Sequence, residues 1–203
     1  MTSIEINLKN LKPDIRHLND MREVIFDKEW LKSAGNPELY FMYRKVKKEN
    51  GLVHNITVTP AKMLGSEFVK TKGHVHIGNF QEIYTVLEGR AIYLMQKRPK
   101  GCPENKIEDV YAVMAEKEES VIIPSGYGHV TINPSKTETL KTGDWTAENC
   151  KSDYSLFEKM QGACYYYTET GWIKNEKYKS VPQLRFEESL KSVPENLDFL
   201  KQG

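Results

Sequence analysis

Thr71-Lys72-Gly73-His74-Val75-His76, followed by Glu82-Ile83-Tyr84, is the stretch on which the reading of this chain turns. In a strand, residues two apart face the same way, so His74 and His76 project together, with Cα atoms roughly 6–7 Å apart. That separation suits two imidazoles converging on one ion. A five-residue turn, 77–81, brings the chain back and lets Glu82 face the same pocket from the neighbouring strand. A second stretch, Pro124-Ser125-Gly126-Tyr127-Gly128-His129, offers a third histidine at the start of a strand, with Asn133 four residues on. Three imidazoles and one carboxylate form a site for a borderline transition metal: iron, nickel, manganese, zinc or copper. Four protein donors leave up to two positions open in an octahedral site, as a catalytic ion requires. His54 follows an Asn-Gly turn and reads as a surface or packing histidine.

Around these stretches the chain reads as all-β. Short segments rich in β-branched and aromatic residues fall at 40–43, 52–59, 67–75, 82–87, 91–96, 109–114, 120–124, 129–133 and 162–168. Turn residues separate them, including Asn50-Gly51, Glu88-Gly89 and Ser125-Gly126-Tyr127-Gly128. Many short strands at this spacing predict a small antiparallel sandwich or barrel. Residues 18–34 are expected to be partly helical before Pro37. Phe186, Leu190, Val193, Leu197 and Leu200 fall at roughly helical spacing and predict a helical tail docked on the barrel. The expected organisation is one domain, with an N-terminal strand and helix extension over 1–38, a barrel core over 39–173 and a C-terminal tail over 174–203.

The chain has 203 residues, with 29 Lys and Arg against 28 Asp and Glu and a net charge of +1. This balance gives no reason to expect nucleic acid or an anionic membrane as partner. No stretch reaches the ~18 apolar residues of a membrane span, and the N-terminus lacks the pattern of a signal peptide. Cys102, Cys150 and Cys164 are odd in number and widely spaced, fitting neither a disulfide framework nor a paired zinc site. A cytoplasmic enzyme with reduced thiols is the expectation.

The two stretches resemble the two cupin motifs. His74, His76, Glu82 and Gly89 fit the first; Pro124, Gly126, His129 and Asn133 fit the second, whose usual leading glycine falls on Glu118. The resemblance implies a jelly-roll β-barrel with an ion in its mouth. A narrower likeness covers roughly residues 14–173. Thr57-Val58-Thr59-Pro60, the run from Glu67 to His76 and Glu82-Ile83-Tyr84 are similar to the cupin-type glucose-6-phosphate isomerases of archaea and some bacteria.

That resemblance implies interconversion of glucose 6-phosphate and fructose 6-phosphate, a step of glycolysis and gluconeogenesis, through a metal-stabilised enediolate or a hydride shift. It implies one divalent ion per subunit, iron(II) or else nickel, manganese or zinc, held by His74, His76, Glu82 and His129. Glu82 and Tyr84 are the expected catalytic pair. The sugar phosphate is expected near Thr57, Thr71, Gly73, Tyr84 and Tyr154. Strict alternation puts Lys72, not Thr71, on the face of His74, so Lys72 is a further candidate for the phosphate. Ser152-Asp153-Tyr154 stands where the family has His-Asp-Tyr, and Trp145 is the candidate for another pocket aromatic. A homodimer is expected, with the alternating Ile4-Glu5-Ile6-Asn7-Leu8 as its candidate strand. A cupin dioxygenase and a non-enzymatic sugar-binding cupin remain the alternatives.

Overall fold

The computed structural model describes residues 8–202. Residues 4–7 of the candidate pairing strand lie outside this range, and Leu8 begins a single 3-10 turn, Leu8–Asn10. Among the described residues sixteen strands follow: β1 (Asp14–His17), β2 (Glu38–Glu49), β3 (Leu52–Thr59), β4 (Met63–Leu64), β5 (Glu67–Phe68), β6 (His74–Ile77), β7 (Glu82–Glu88), β8 (Ala91–Lys97), β9 (Asp109–Ala115), β10 (Ser120–Ile123), β11 (Tyr127–Ile132), β12 (Leu140–Ala147), β13 (Lys151–Asp153), β14 (Tyr165–Thr168), β15 (Gly171–Lys174) and β16 (Arg185–Glu187). The α-helices are short: α1 (Lys28–Leu31) and α2 (Ser155–Lys159).

The strand pairs nest about the β8–β9 hairpin: β7 pairs with β10, β6 with β11 and β3 with β12, all antiparallel. Successive pairs fall alternately into two six-stranded sheets, β1-β2-β3-β12-β7-β10 and β13-β6-β11-β8-β9-β16. A long antiparallel ribbon rolled in this way is a jelly roll, as expected from the sequence.

Alternation along β8 shows how the sheets use their faces. Ala91, Tyr93 and Met95 join Tyr84, Val86, Tyr111, Val113, Val121 and Ile123 in the core between the two sheets. Ile92 and Leu94 point the other way, into a larger core with Leu18, Met21, Val24, Ile25, Phe157 and Tyr178. Thus β8 is buried on both faces and reads as a continuous apolar run rather than an alternating one. The small third sheet, β15-β14-β5-β4, packs into this outer core through Leu64 and Phe68.

A buried ion pair fastens the N-terminal turns to the third sheet. Lys70 and Glu67 are both within the protein, and Lys70 Nζ is paired with Glu67 Oε1. Lys70 Nζ also donates to the carbonyl of Val24 at 2.9 Å, while Phe26 N donates to Glu67 Oε2 at 3.0 Å.

The C-terminal tail docks on the barrel, but not as a helix. Arg185–Glu187 adds a parallel strand to β9, Leu190 exchanges backbone bonds with Ser120, and only Asp198–Lys201 makes a 3-10 turn. Pro182 and Pro194 interrupt any long helix here. The outer edge of β9 has backbone groups to satisfy, and an extended segment can satisfy them. Phe186, Leu190 and Val193 are consequently exposed, whereas Leu197, Phe199 and Leu200 pack against Leu52, Ile83 and Trp145.

Replacing Lys70 by Met leaves the Glu67 carboxylate buried without its partner, and should cost about 3–5 kcal/mol. The Glu67→Gln, Lys70→Met double variant should recover much of that loss. Urea unfolding of the three proteins measures both effects; a cost below about 1 kcal/mol for Lys70→Met would remove the pair from any role in fastening the segment.

Candidate metal centre

Register brings the four predicted donors together. His74 lies directly opposite His129 in the β6–β11 pair. His76 follows two residues on, on the same face. Glu82 opens β7 and enters from the other sheet. One donor atom from each of the four residues falls within 4.8 Å of the others. His76 Nε2 is 3.2 Å and His129 Nε2 3.3 Å from Glu82 Oε2. The other nitrogen of His76, Nδ1, is 3.3 Å from the carbonyl of Phe80, within the turn that joins β6 to β7. That contact holds the ring so that Nε2 faces the centre, as the free nitrogen of a metal-binding histidine is commonly held by a backbone carbonyl.

This donor set fits a divalent transition ion. Glu82 Oε2 is buried and accepts no hydrogen bond. Burial and the neighbouring His129 hold His74 well below its usual pKa, and burial lowers that of His129. Neutral imidazole is the form that donates a lone pair to a metal. Burial acts on Glu82 in the opposite sense, but the close approach of the His129 and His76 rings outweighs it and draws the carboxyl well below its usual range. His76 is also buried, yet contacts with Cys150 and Glu82 push its pKa up to about 10.

Tyr84 lies two residues beyond Glu82, so both side chains face inward. Its hydroxyl is 3.4 Å from His129 Nε2. Burial first, and then the charge of Glu82, push the phenol well above its usual pKa, so it keeps its proton.

One cavity, with a volume of about 170 Å³, opens from this centre. His74, His76, Glu82, Tyr84, Thr57, Thr71, Gly73 and Tyr154 all line it, together with Lys72 and Ser152. The Tyr154 ring is 5.5 Å from that of His74, and Ser152 lies opposite His76 in the β13–β6 pair. The stretch expected as one strand over 67–75 is broken, which explains how Thr71, Lys72 and Gly73 all reach the cavity. Gly73 has φ +84, and a Cβ there would come within 2.5 Å of the Phe157 ring. Only glycine meets both conditions. Thr71 Oγ1 accepts a bond from Thr131 N at 3.0 Å, and Lys72 Nζ is 2.6 Å from Glu158 of α2.

Two aromatic and histidine assignments resolve differently from each other. His54 is the packing histidine expected, stacked on Trp145 with ring centroids 4.7 Å apart. Burial and then Lys47 lower its pKa to about 4. Trp145 is not a pocket aromatic. It alternates with Asp144 and Thr146, both of which line the cavity, and so packs on the outer face of its sheet near Leu200.

The cavity wall also holds residues not singled out from the sequence: Tyr40, Arg44, Asn55, Asp144 and Cys150. Asp144 was hidden because residues 140–147 carry a glycine and mostly polar side chains. Their strand is recognisable only once β3 and β7 are seen to flank it. Burial, and then the charge of Glu82, push the Asp144 carboxyl well above its usual range.

The sequence profile of the glucose-6-phosphate isomerase (GPI) family matches residues 16–183. Curated relatives named glucose-6-phosphate isomerase include that of Thermococcus litoralis, 32% identical over 132 residues, or 62% of this chain and 65% of that one. The Pyrococcus furiosus protein is 30% identical over 132 residues, 62% of this chain and 66% of that one. The Pyrococcus abyssi protein is 26% identical over 178 residues, 83% of this chain and 89% of that one. The match thus spans just under two thirds of the length of the first of these relatives. Among solved structures, an oxalate oxidase in complex with the substrate analogue glycolate overlaps 51% of this chain and 46% of its own at 18% identity and a TM-score of 0.40. The profile covers more than four fifths of the 203 residues and includes every donor of the metal centre, and the chain belongs to the glucose-6-phosphate isomerase (GPI) family.

Proposed function

We propose that this chain interconverts glucose 6-phosphate and fructose 6-phosphate, using one divalent ion held by His74, His76, Glu82 and His129. The observation that carries this reading is a single cavity combining four convergent donors with Thr57, Thr71, Gly73 and Tyr154. The names of the curated relatives support the same substrate pair. Iron(II) is the ion assigned, and nickel, manganese or zinc suit the same nitrogen-rich set. A cytoplasmic homodimer acting in glycolysis and gluconeogenesis completes the reading, and the three free cysteines are compatible with a reducing compartment.

A proton must leave carbon 2 of the aldose and arrive at carbon 1 of the ketose. When bound, the ion would supply Lewis acidity to the reacting oxygens of the sugar. Glu82 is the carboxylate that takes the carbon-2 proton and returns it to carbon 1. Its depressed pKa keeps it in the basic form. Tyr84, held as a neutral phenol, can donate to one sugar oxygen and so move the hydroxyl proton between oxygens 1 and 2. Thr57, Thr71 and the backbone at Gly73 hold the phosphate end, with Lys72 adding positive charge on that side. Tyr154, beside His74, closes the cavity over the sugar.

Glu82→Gln should lower turnover by about 10²-fold or more, the usual contribution of a general base. His54→Ala, outside the cavity, should stay within about threefold of the parent enzyme. Equal small effects would remove the assigned site. With glucose 6-phosphate deuterated at carbon 2, the label should exchange into water during turnover. Complete transfer to carbon 1 without loss would instead assign a hydride shift and take the base role from Glu82.

A further inference from the structure

Asn55, Asp144 and Tyr84 form one cross-strand row on the inner face of the sheet, since Asp144 pairs with Asn55 on β3 and with Tyr84 on β7. Directly opposed residues point to the same side of a sheet, so all three face the cavity that they line. Asn55 and Asp144 are not among the four convergent donors of the metal centre.

The pair is built rather than incidental. Asn55 Nδ2 donates to Asp144 Oδ2 at 2.7 Å. Asn55 Oδ1 in turn accepts from the backbone N–H of Lys45 at 2.9 Å, which fixes which way the amide points. Lys45 itself sits in a bulge of β2, with φ 53, so the strand is bent at the position that orients Asn55.

Asp144 is 4% exposed. Its close polar neighbours are the Asn55 amide and the Glu82 carboxyl. Arg44 lies on the same cavity wall. For the fold alone, two apolar side chains would serve better at this place, because buried polar groups cost free energy unless fully satisfied. The Asp144 side chain offers two oxygens, and Asn55 donates to one of them. The remaining capacity suits a ligand rich in hydroxyl donors, bound between the metal centre and the phosphate side.

Taking the cavity to be the sugar-phosphate site proposed above, we propose that Asp144, oriented by Asn55, reads the hydroxyls at carbons 3 and 4 of the sugar chain. It thereby selects which hexose phosphate the cavity accepts. A site that hydrogen-bonds a substrate hydroxyl discriminates strongly against an isomer that misplaces it, because its own polar groups are then left unpaired.

The test measures binding by calorimetry on the metal-loaded protein, with fructose 6-phosphate and its carbon-3 and carbon-4 epimers, allulose 6-phosphate and tagatose 6-phosphate. The parent protein should prefer fructose 6-phosphate by about tenfold or more. Asp144→Ala should weaken its binding about tenfold or more and narrow the preference to within about threefold. Its thermal melting curve shows whether the variant is folded. Asn55→Ser should narrow the preference in the same direction, and serves if Asp144→Ala does not fold. An unchanged preference in the folded variants would overturn the inference, as would a loss of kcat with unchanged binding and unchanged preference. Discrimination without any turnover by the parent protein would overturn the isomerase reading and leave the subsite standing. No binding of any of the three sugars would overturn both.

Discussion

Three imidazoles and a carboxylate crowd within 4.8 Å of one another at the mouth of an apolar barrel, and bringing them there is the constraint that the rest of the fold serves. Such a cluster cannot form locally. His74 and His129 meet because β6 and β11, more than fifty residues apart, pair in the register that sets them opposite each other. A slip of one residue in either strand would turn its histidine to the outer face. Glu82 comes from the second sheet, so the four donors exist as a group only when the jelly roll is closed.

The mouth of the barrel is shaped by departures from regular structure. Gly73 breaks the strand before His74 and makes room for Phe157, the fully buried ring of α2. That packing joins the phosphate-side residues to the outer core, which also receives the N-terminal turns. The Lys70–Glu67 pair lies just upstream on the same stretch of chain, fastening its other side to Val24 and Phe26. Thr71 and Lys72 are therefore anchored on both sides before the first histidine is reached. On the facing wall, the bulge at Lys45 plays a corresponding part by orienting Asn55.

What was legible in the sequence follows the range of the interactions involved. His74 and His76 were legible because period-two alternation is a local rule, and Glu82 because the turn between it and His76 is short. His129 required two separated motifs to be read together. Asn133, part of the second motif, caps that end of the barrel by donating to the carbonyls of Thr59 and Glu138. Asn55 and Asp144 were not legible. They are adjacent only through the β3–β12 register, and nothing local marks residues 140–147 as a strand. Trp145 was misplaced for the same reason: its face is decided by the strand's parity, which its aromatic character does not reveal. The tail was misread because spacing alone cannot report that β9 has an open edge, to which a proline-interrupted segment pairs in extended form.

The centre and the proposed chemistry meet in one measurement. Purified protein is assayed for conversion of glucose 6-phosphate to fructose 6-phosphate, stripped with a chelator, assayed again and reloaded with iron(II), with bound metal determined by elemental analysis at each stage. The account predicts activity that tracks a bound divalent ion approaching one per chain, falls on stripping and returns on reloading. Full isomerase activity in protein shown to be free of metal, or one bound ion per chain with no turnover of either sugar phosphate, would contradict it.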